Sequence, residues 1–397
     1  MNVYAPTFMS DTTTVSGRYV EDSSSGETVR AFVPAPLPPE LSLTLNDYGL
    51  IEEANRALGR LDAFYSVAAL PEGFADLLTY HSIRKEAVLS SQIEGTQSSF
   101  TDLLLHEDER APGVPLDDVQ EVSSYVAALT HGLERLRGGF PLSLRLIREI
   151  HAKLLAHGRG ADKSPGEFRR SQVWLGGRRP SQATFVPPPP GEVMSCLDPF
   201  EHFLHDPAYP VLLKAGLAHV QFETIHPFLD GNGRVGRLLI TLLLCGQQVL
   251  TEPVLYLSLY FKANRQAYYD HLQRVRTEGD WEGWIRYFLE GVRDTAREAL
   301  TTAQEALALF DADREKIGAL GRGAGSAKAV FEMLQRHPLT TIPAATDRLE
   351  LSYPTVRDAL GRLEEIGVVE EVTGEDRGRL YVYTCYLRLL SEGTEPL

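Results

Sequence analysis

At 397 residues, with 43% hydrophobic and 9% aromatic side chains, the chain is long enough for two or three packed domains. A net charge of −15 argues against a whole-chain role in nucleic-acid binding. No apolar run reaches the roughly 18 residues of a membrane span, and the Ser/Thr/Asp-rich start lacks the basic and apolar regions of a signal peptide. The cysteines, Cys196, Cys245 and Cys385, are far apart, offer no metal spacing and suit a reducing, cytoplasmic compartment.

Residues 1–40 begin polar and end in Phe32-Val33-Pro34-Ala35-Pro36-Leu37-Pro38-Pro39, the composition of an irregular, partly extended arm. Helical patterns are expected at about 44–69 and 74–94. In the second, Ser90 and Glu94 are spaced i,i+4 and share a face, while Gly95 is placed as a left-handed C-cap. A carboxylate at a helix C-terminus opposes the dipole by a few tenths of a kcal/mol unless a cation meets it. Glu107 to Pro115 reads as a linker or long loop, followed by helices at about 116–137 and 142–156. From Gln172 to Val186, two β-prone runs flank a Gly/Pro-rich turn, which predicts a hairpin closed off by Pro187 to Pro190.

Helices resume at about 194–205, 211–224, 232–248, 262–277 and from Trp281 to about 318. His226-Pro227 falls in a loop between two of them, and Gly231-Asn232-Gly233 opens the next. A helix N-terminus offers free N–H groups and a positive dipole end, so it attracts phosphate, and glycines let backbone approach an anion closely. Arg234 and Arg237 share a face in the first turns of that helix, where each opposes the dipole by roughly 0.3–1 kcal/mol. An anion between them removes the conflict, and the guanidinium fork suits phosphate. Asp230 is a candidate oxygen ligand for Mg²⁺, and His226 a candidate general base near pH 7.

The run His226-Pro-Phe-Leu-Asp-Gly-Asn-Gly-Arg-Val-Gly-Arg237 resembles the signature of the Fic family, with every fixed position filled. The resemblance implies a mainly α protein, an all-helical core carrying a β-hairpin flap, that transfers AMP from ATP to a Ser, Thr or Tyr hydroxyl on a protein, itself included. By motif position, His226 is the base and Asp230 the Mg²⁺ ligand. Asn232, with the backbone at Gly231 and Gly233, would hold the α-phosphate region, and Arg234 and Arg237 the β- and γ-phosphates. Relatives with Lys in place of Gly233 transfer phosphate instead, so glycine here favours AMP transfer. Ser90, Glu94 and Gly95 resemble the family's inhibitory sequence, in which Glu94 would pair with Arg237 where the γ-phosphate belongs. The 172–186 hairpin would be the flap that clamps a target segment by strand addition. Tyr268 and Tyr269 resemble paired tyrosines near the nucleotide, with Tyr269 the nucleotide contact. The same site, with Glu94 orienting water, would also serve AMP removal.

Gly321-Arg322-Gly323-Ala324-Gly325 reads as a flexible linker. Helices are expected at Ala327–Arg336, Thr341–Arg348 and from a Ser352 cap to about Ile366, then strands at Val368–Val372 and Leu380–Tyr383. That order resembles a winged helix-turn-helix, a small α+β domain. From Ser326 to Leu390 eight Lys/Arg face ten Asp/Glu, a net of −2, and only Arg357, Arg362, Arg377 and Arg379 could be aimed at DNA. Binding DNA leans on phosphate neutralisation, so protein docking or self-association is the better expectation.

The expected divisions are 1–40 arm, 41–115 helical region with the inhibitory helix, 116–300 catalytic core, 301–325 connecting helix and linker, and 326–390 winged-helix-like domain. The reading as an autoinhibited, Mg²⁺-dependent adenylyltransferase competes with one alternative. That is a transcriptional regulator whose nucleotide pocket only senses ligand, which would have no use for His226.

Overall fold

The computed structural model describes residues 13–14, 16–23, 25–66, 70–107, 116–375 and 378–397. Three short strands come first, β1 (Thr13–Thr14), β2 (Gly17–Asp22) and β3 (Val29–Pro34). Helices α1 (Leu45–Tyr65), α2 (Phe74–Ile93), α3 (Phe100–Glu107), α4 (Leu116–Arg137), α5 (Leu144–Leu154) and α6 (Val193–Leu204) follow. Then come α7 (Val211–Ile225), α8 (Asn232–Gly246), α9 (Ser258–Ala263), α10 (Arg265–Glu278) and α11 (Trp281–Gly318). The remainder is α12 (Ala324–Arg336), β4 (Leu339–Thr341), α13 (Ile342–Leu349), α14 (Tyr353–Glu365), β5 (Glu370–Glu371), β6 (Leu380–Val382) and α15 (Thr384–Ser391). Among the described residues the protein is mainly α, as its helical periodicity predicts, with two small antiparallel sheets.

Two compact units divide the chain: residues 1–55, 127–249 and 264–291, and residues 56–126, 250–263 and 292–397. In the first, α7 and α8 pack as neighbours, and Leu217, Val220 and Phe222 of one and Leu238, Leu239 and Leu242 of the other are all buried. Trp284, fully buried, donates its indole N–H to the Gly216 carbonyl at 2.9 Å, locking the start of α11 against α7. Asp47 on α1 is almost fully buried. It receives Arg286 Nε at 2.6 Å and the Thr44 backbone and hydroxyl at 2.7 Å each, a helix cap and an ion pair in one carboxylate.

The segment expected as an irregular arm is a β-hairpin instead. Tyr19, Val20, Ala31 and Phe32 pair across β2 and β3, and Phe32 N–H reaches the Val186 carbonyl at 2.9 Å. Its apolar side buries Val29 and Ala31 with Val186, so tertiary packing overrides a polar composition. The 172–186 hairpin is reduced to a single bridge, Leu175 with Phe185, around a 3₁₀ turn at Pro180–Gln182. The proline-rich exit ends it as expected.

The second unit buries an aromatic cluster of Phe310, Phe331, Tyr383 and Tyr386, with Tyr383 donating to Asp313 at 2.6 Å. The helix α2 ends in a Schellman pair: Gly95 N–H donates to Gln92 and Thr96 N–H to Ser91, with Gly95 at φ +99°. Gln92 Nε2 donates to the Ser98 carbonyl at 2.8 Å and to the Thr394 carbonyl at 2.7 Å. The strand order β4-β6-β5 lies beside α12, α13 and α14, and Ser352 caps α14 by accepting from Thr355 N–H. The expected linker at 321–325 is a 3₁₀ turn leading straight into α12, because backbone bonds from Leu320 onward continue the helical path. Beyond Glu107, the expected loop at 107–115 lies outside the described residues, as does Arg377.

Candidate active site

Helix α7 ends at His226, whose backbone sits at φ 49°, ψ 60°, the left-handed conformation that turns the chain sharply. The carbonyls stranded at this helix end need donors, and two buried arginines supply them. Arg169 Nε donates to the His226 carbonyl at 2.8 Å, and its Nη2 to Pro188 at 2.6 Å and Ile225 at 3.4 Å. Arg276 Nη2 donates to the Glu223 carbonyl at 3.2 Å. Cations at a helix C-terminus also suit its dipole, which offsets part of their burial. Burial pushes both guanidinium groups down to about 10. The His226 imidazole Nδ1 lies 3.4 Å from the Glu223 carbonyl and 3.8 Å from Glu223 Oε2, and its side chain keeps 14% exposure.

The loop then crosses to α8. Asn232 Oδ1 accepts from Phe228 N–H and its Nδ2 donates to the Phe228 carbonyl, both at 2.9 Å. That side chain, expected beside the α-phosphate, thus uses its amide to close the loop. Gly231 stands at φ +76° as the N-cap of α8, a conformation glycine adopts without steric cost. Its N–H donates to Asp230 Oδ1 at 2.6 Å. The Asp230 carboxylate is a third exposed and lies 3.7 Å from Arg234 Nη2.

Arg234 and Arg237 are 1% and 2% exposed, which rules out a merely solvated face. Two guanidinium groups buried in the first turns of one helix concentrate positive charge at the N-terminal end of α8, where the helix dipole also favours an anion. Beneath them, His219 bonds through Nε2 to the Tyr268 hydroxyl at 2.7 Å, and burial pushes it down to about 3. Tyr268 is core, whereas Tyr269 is exposed, with the Arg265 guanidinium 5.6 Å from its ring.

Seven of the ten site residues read from the sequence therefore share one elbow: His226, Asp230, Gly231, Asn232, Gly233, Arg234 and Arg237. Tyr269 lies on α10 of the same unit. Ser90 and Glu94 belong to the second unit, Ser90 fully buried and Glu94 the C-cap of α2. Sequence reading missed Arg169, Arg276 and His151. The signal for His151 was available: a polar ring in register with Ile147, Ile150 and Leu154 on the apolar face of α5. Nothing local marks Arg169, most of whose partners, Pro188, Ile225 and His226, are distant in sequence.

Comparison with known proteins agrees with this geometry. The Fic/DOC family N-terminal profile matches residues 48–134 and the Fic/DOC family profile residues 141–244. A protein named protein adenylyltransferase Fic from Drosophila virilis is 31% identical over 252 residues, covering 62% of this chain and 45% of that protein. The protein of the same name from Aedes aegypti is 34% identical over 219 residues, covering 53% of this chain and 39% of its own length. The chain thus spans less than half the length of these curated relatives. A crystal structure of a Fic family protein from Desulfovibrio desulfuricans G20 superposes with a TM-score of 0.56 at 22% identity, covering 87% of this chain and 98% of that one. With the Fic/DOC family profile spanning the whole elbow from His226 to Arg237 and the N-terminal profile the region before it, the chain belongs to the Fic/DOC family.

Proposed function

We propose that the chain is a protein adenylyltransferase, transferring AMP from ATP to a Ser, Thr or Tyr hydroxyl of a protein, itself included. The observation that carries this reading is the pair of buried arginines, Arg234 and Arg237, beside a helix N-terminus reached from His226 by one tight loop. The name shared by the insect relatives supports the same reaction.

In this reading the target hydroxyl gives its proton to His226 while its oxygen bonds to the α-phosphorus. The bond from that phosphorus to the bridging oxygen breaks, and pyrophosphate leaves towards Arg234 and Arg237. Catalysis is positioning and charge stabilisation, as in other phosphate transfers. Among the described residues no group of three or more His, Cys, Asp or Glu could hold a metal. One carboxylate plus substrate phosphates is the usual way Mg²⁺ is held, and the partly exposed Asp230 fits that role. When bound, Mg²⁺ would neutralise phosphate charge there.

Glu94, at the unfavourable end of α2, fits an inhibitory carboxylate that competes with the γ-phosphate for Arg237. Ser90, buried one turn earlier on the same helix, fits the same inhibitory element. The 172–186 segment fits a docking edge for the target, and α12 to α15 with their sheet fit a winged-helix-like module for protein contact or self-association. The test is ATP labelled at the α- or the γ-phosphate. Protein that gains only the α label supports adenylyl transfer; gain of the γ label supports phosphate transfer and overturns it.

A further inference from the structure

The loop bearing Asp230 is gripped from outside the motif. His151 on α5 is fully buried. Gly166 N–H donates to its Nδ1 at 2.8 Å, so the neutral ring carries its proton on Nε2 and donates it to the Asp230 carbonyl at 3.0 Å. The ring also stacks on Phe228, with centroids 3.7 Å apart and planes 5° from parallel. Its Cδ2 stands 3.7 Å from where a Gly231 side chain would begin. One imidazole therefore touches Phe228 and Asp230, leaves no more than ordinary contact space beside Gly231, and bonds this loop to the 158–166 loop through Gly166. Asn232 holds the same Phe228 backbone from the other side of the loop.

Space alone could be filled by an apolar ring at no such cost, whereas both nitrogens of this imidazole are spent on backbone groups of two separate loops. We propose that His151 is a positioning residue for the Asp230 carboxylate, setting the metal–nucleotide end of the site through the loop backbone without touching substrate. Outer groups that orient ligands in this way are worth about 10–100-fold in metal affinity or activity. The proposal rests on the adenylyl-transfer reading of the elbow.

The test compares His151→Phe, which keeps an aromatic ring for the stack and loses both hydrogen bonds, with His151→Gln, which keeps a donor near Nε2. Both are made in full-length protein carrying Glu94→Gly, and each is read by amide hydrogen exchange and by the Mg²⁺ dependence of AMP transfer. Expected for His151→Phe are about tenfold faster exchange confined to residues 228–233 and a Mg²⁺ requirement raised about tenfold; His151→Gln recovers most of both. Exchange and Mg²⁺ dependence unchanged in His151→Phe would overturn the proposal. So would faster exchange across the whole first unit in both variants, which would make His151 a packing residue. If the parent itself transfers no AMP, it is the adenylyl reading that fails, and exchange at 228–233 still decides the role of His151.

Discussion

Replacing Gly160 by alanine perturbs Asp230 from outside the motif. Gly160 holds φ +88°, and a methyl there would stand 2.8 Å from Asp230 Oδ2 and 3.3 Å from Leu155 Cδ2. Left-handed backbone costs an L-residue about 1–2 kcal/mol. Crowding of packed atoms adds about 1–3 kcal/mol, relieved only if the carboxylate moves. Gly139 is the control, because its φ is +81° and nothing lies within 4 Å of its Cβ position. Gly139→Ala therefore carries the backbone cost alone, about 1–2 kcal/mol in chemical denaturation, and Gly160→Ala at least as much. Displacement of Asp230 worth about 1.4 kcal/mol is a tenfold change in binding. In a Glu94→Gly background, Gly160→Ala should thus raise the Mg²⁺ concentration for half-maximal AMP transfer about tenfold, and Gly139→Ala should leave it unchanged. Equal Mg²⁺ dependence in the two variants would refute the link between the Asp230 carboxylate and the metal.

Hydrogen bonding from Arg286 holds the Asp47 carboxyl well below the usual carboxylate range. A carboxylate depressed on folding stabilises above its unfolded pKa of about 4, and that stability is lost as pH falls through the lower folded value. Asp47→Asn should therefore cost about 1–2 kcal/mol at pH 7, discounted because Arg286 is half exposed, with the gap to wild type closing below about pH 4; a gap that is constant with pH would contradict the assignment. Arg169→Met strands four carbonyls, those of Ser171, Pro188, Ile225 and His226, and should destabilise by about 3 kcal/mol, with Arg169→Lys recovering part. Retained stability in Arg169→Met would show that those carbonyls have other donors. The acidic balance of residues 326–390 predicts no salt-dependent mobility shift of duplex DNA by the full chain; a shift that weakens with salt would reassign the module to nucleic acid.

Where sequence and structure agree, the information is local. Helix α11 runs Trp281–Gly318 as periodicity predicts, and Ser352 and Gly95 cap their helices because capping is written within four residues. The elbow from His226 to Arg237 was legible for the same reason: left-handed turns, helix N-terminus and arginines all sit in one short run. Helix α3 was missed although Ser99 and Asp102 form a reciprocal cap ahead of Leu103-Leu104-Leu105, a readable signal. The β2–β3 hairpin was not legible, because its apolar face is justified only by Val186, more than 150 residues on. Arg169 was invisible for a related reason: its importance lies mainly in the Pro188, Ile225 and His226 carbonyls, which only folding brings near.

Intact-mass analysis of the Glu94→Gly protein after incubation with Mg²⁺ and ATP tests the central claim most directly. The account predicts a gain of one AMP unit that disappears when His226→Ala is added. An unchanged mass in Glu94→Gly, or an AMP gain that persists without His226, would contradict it.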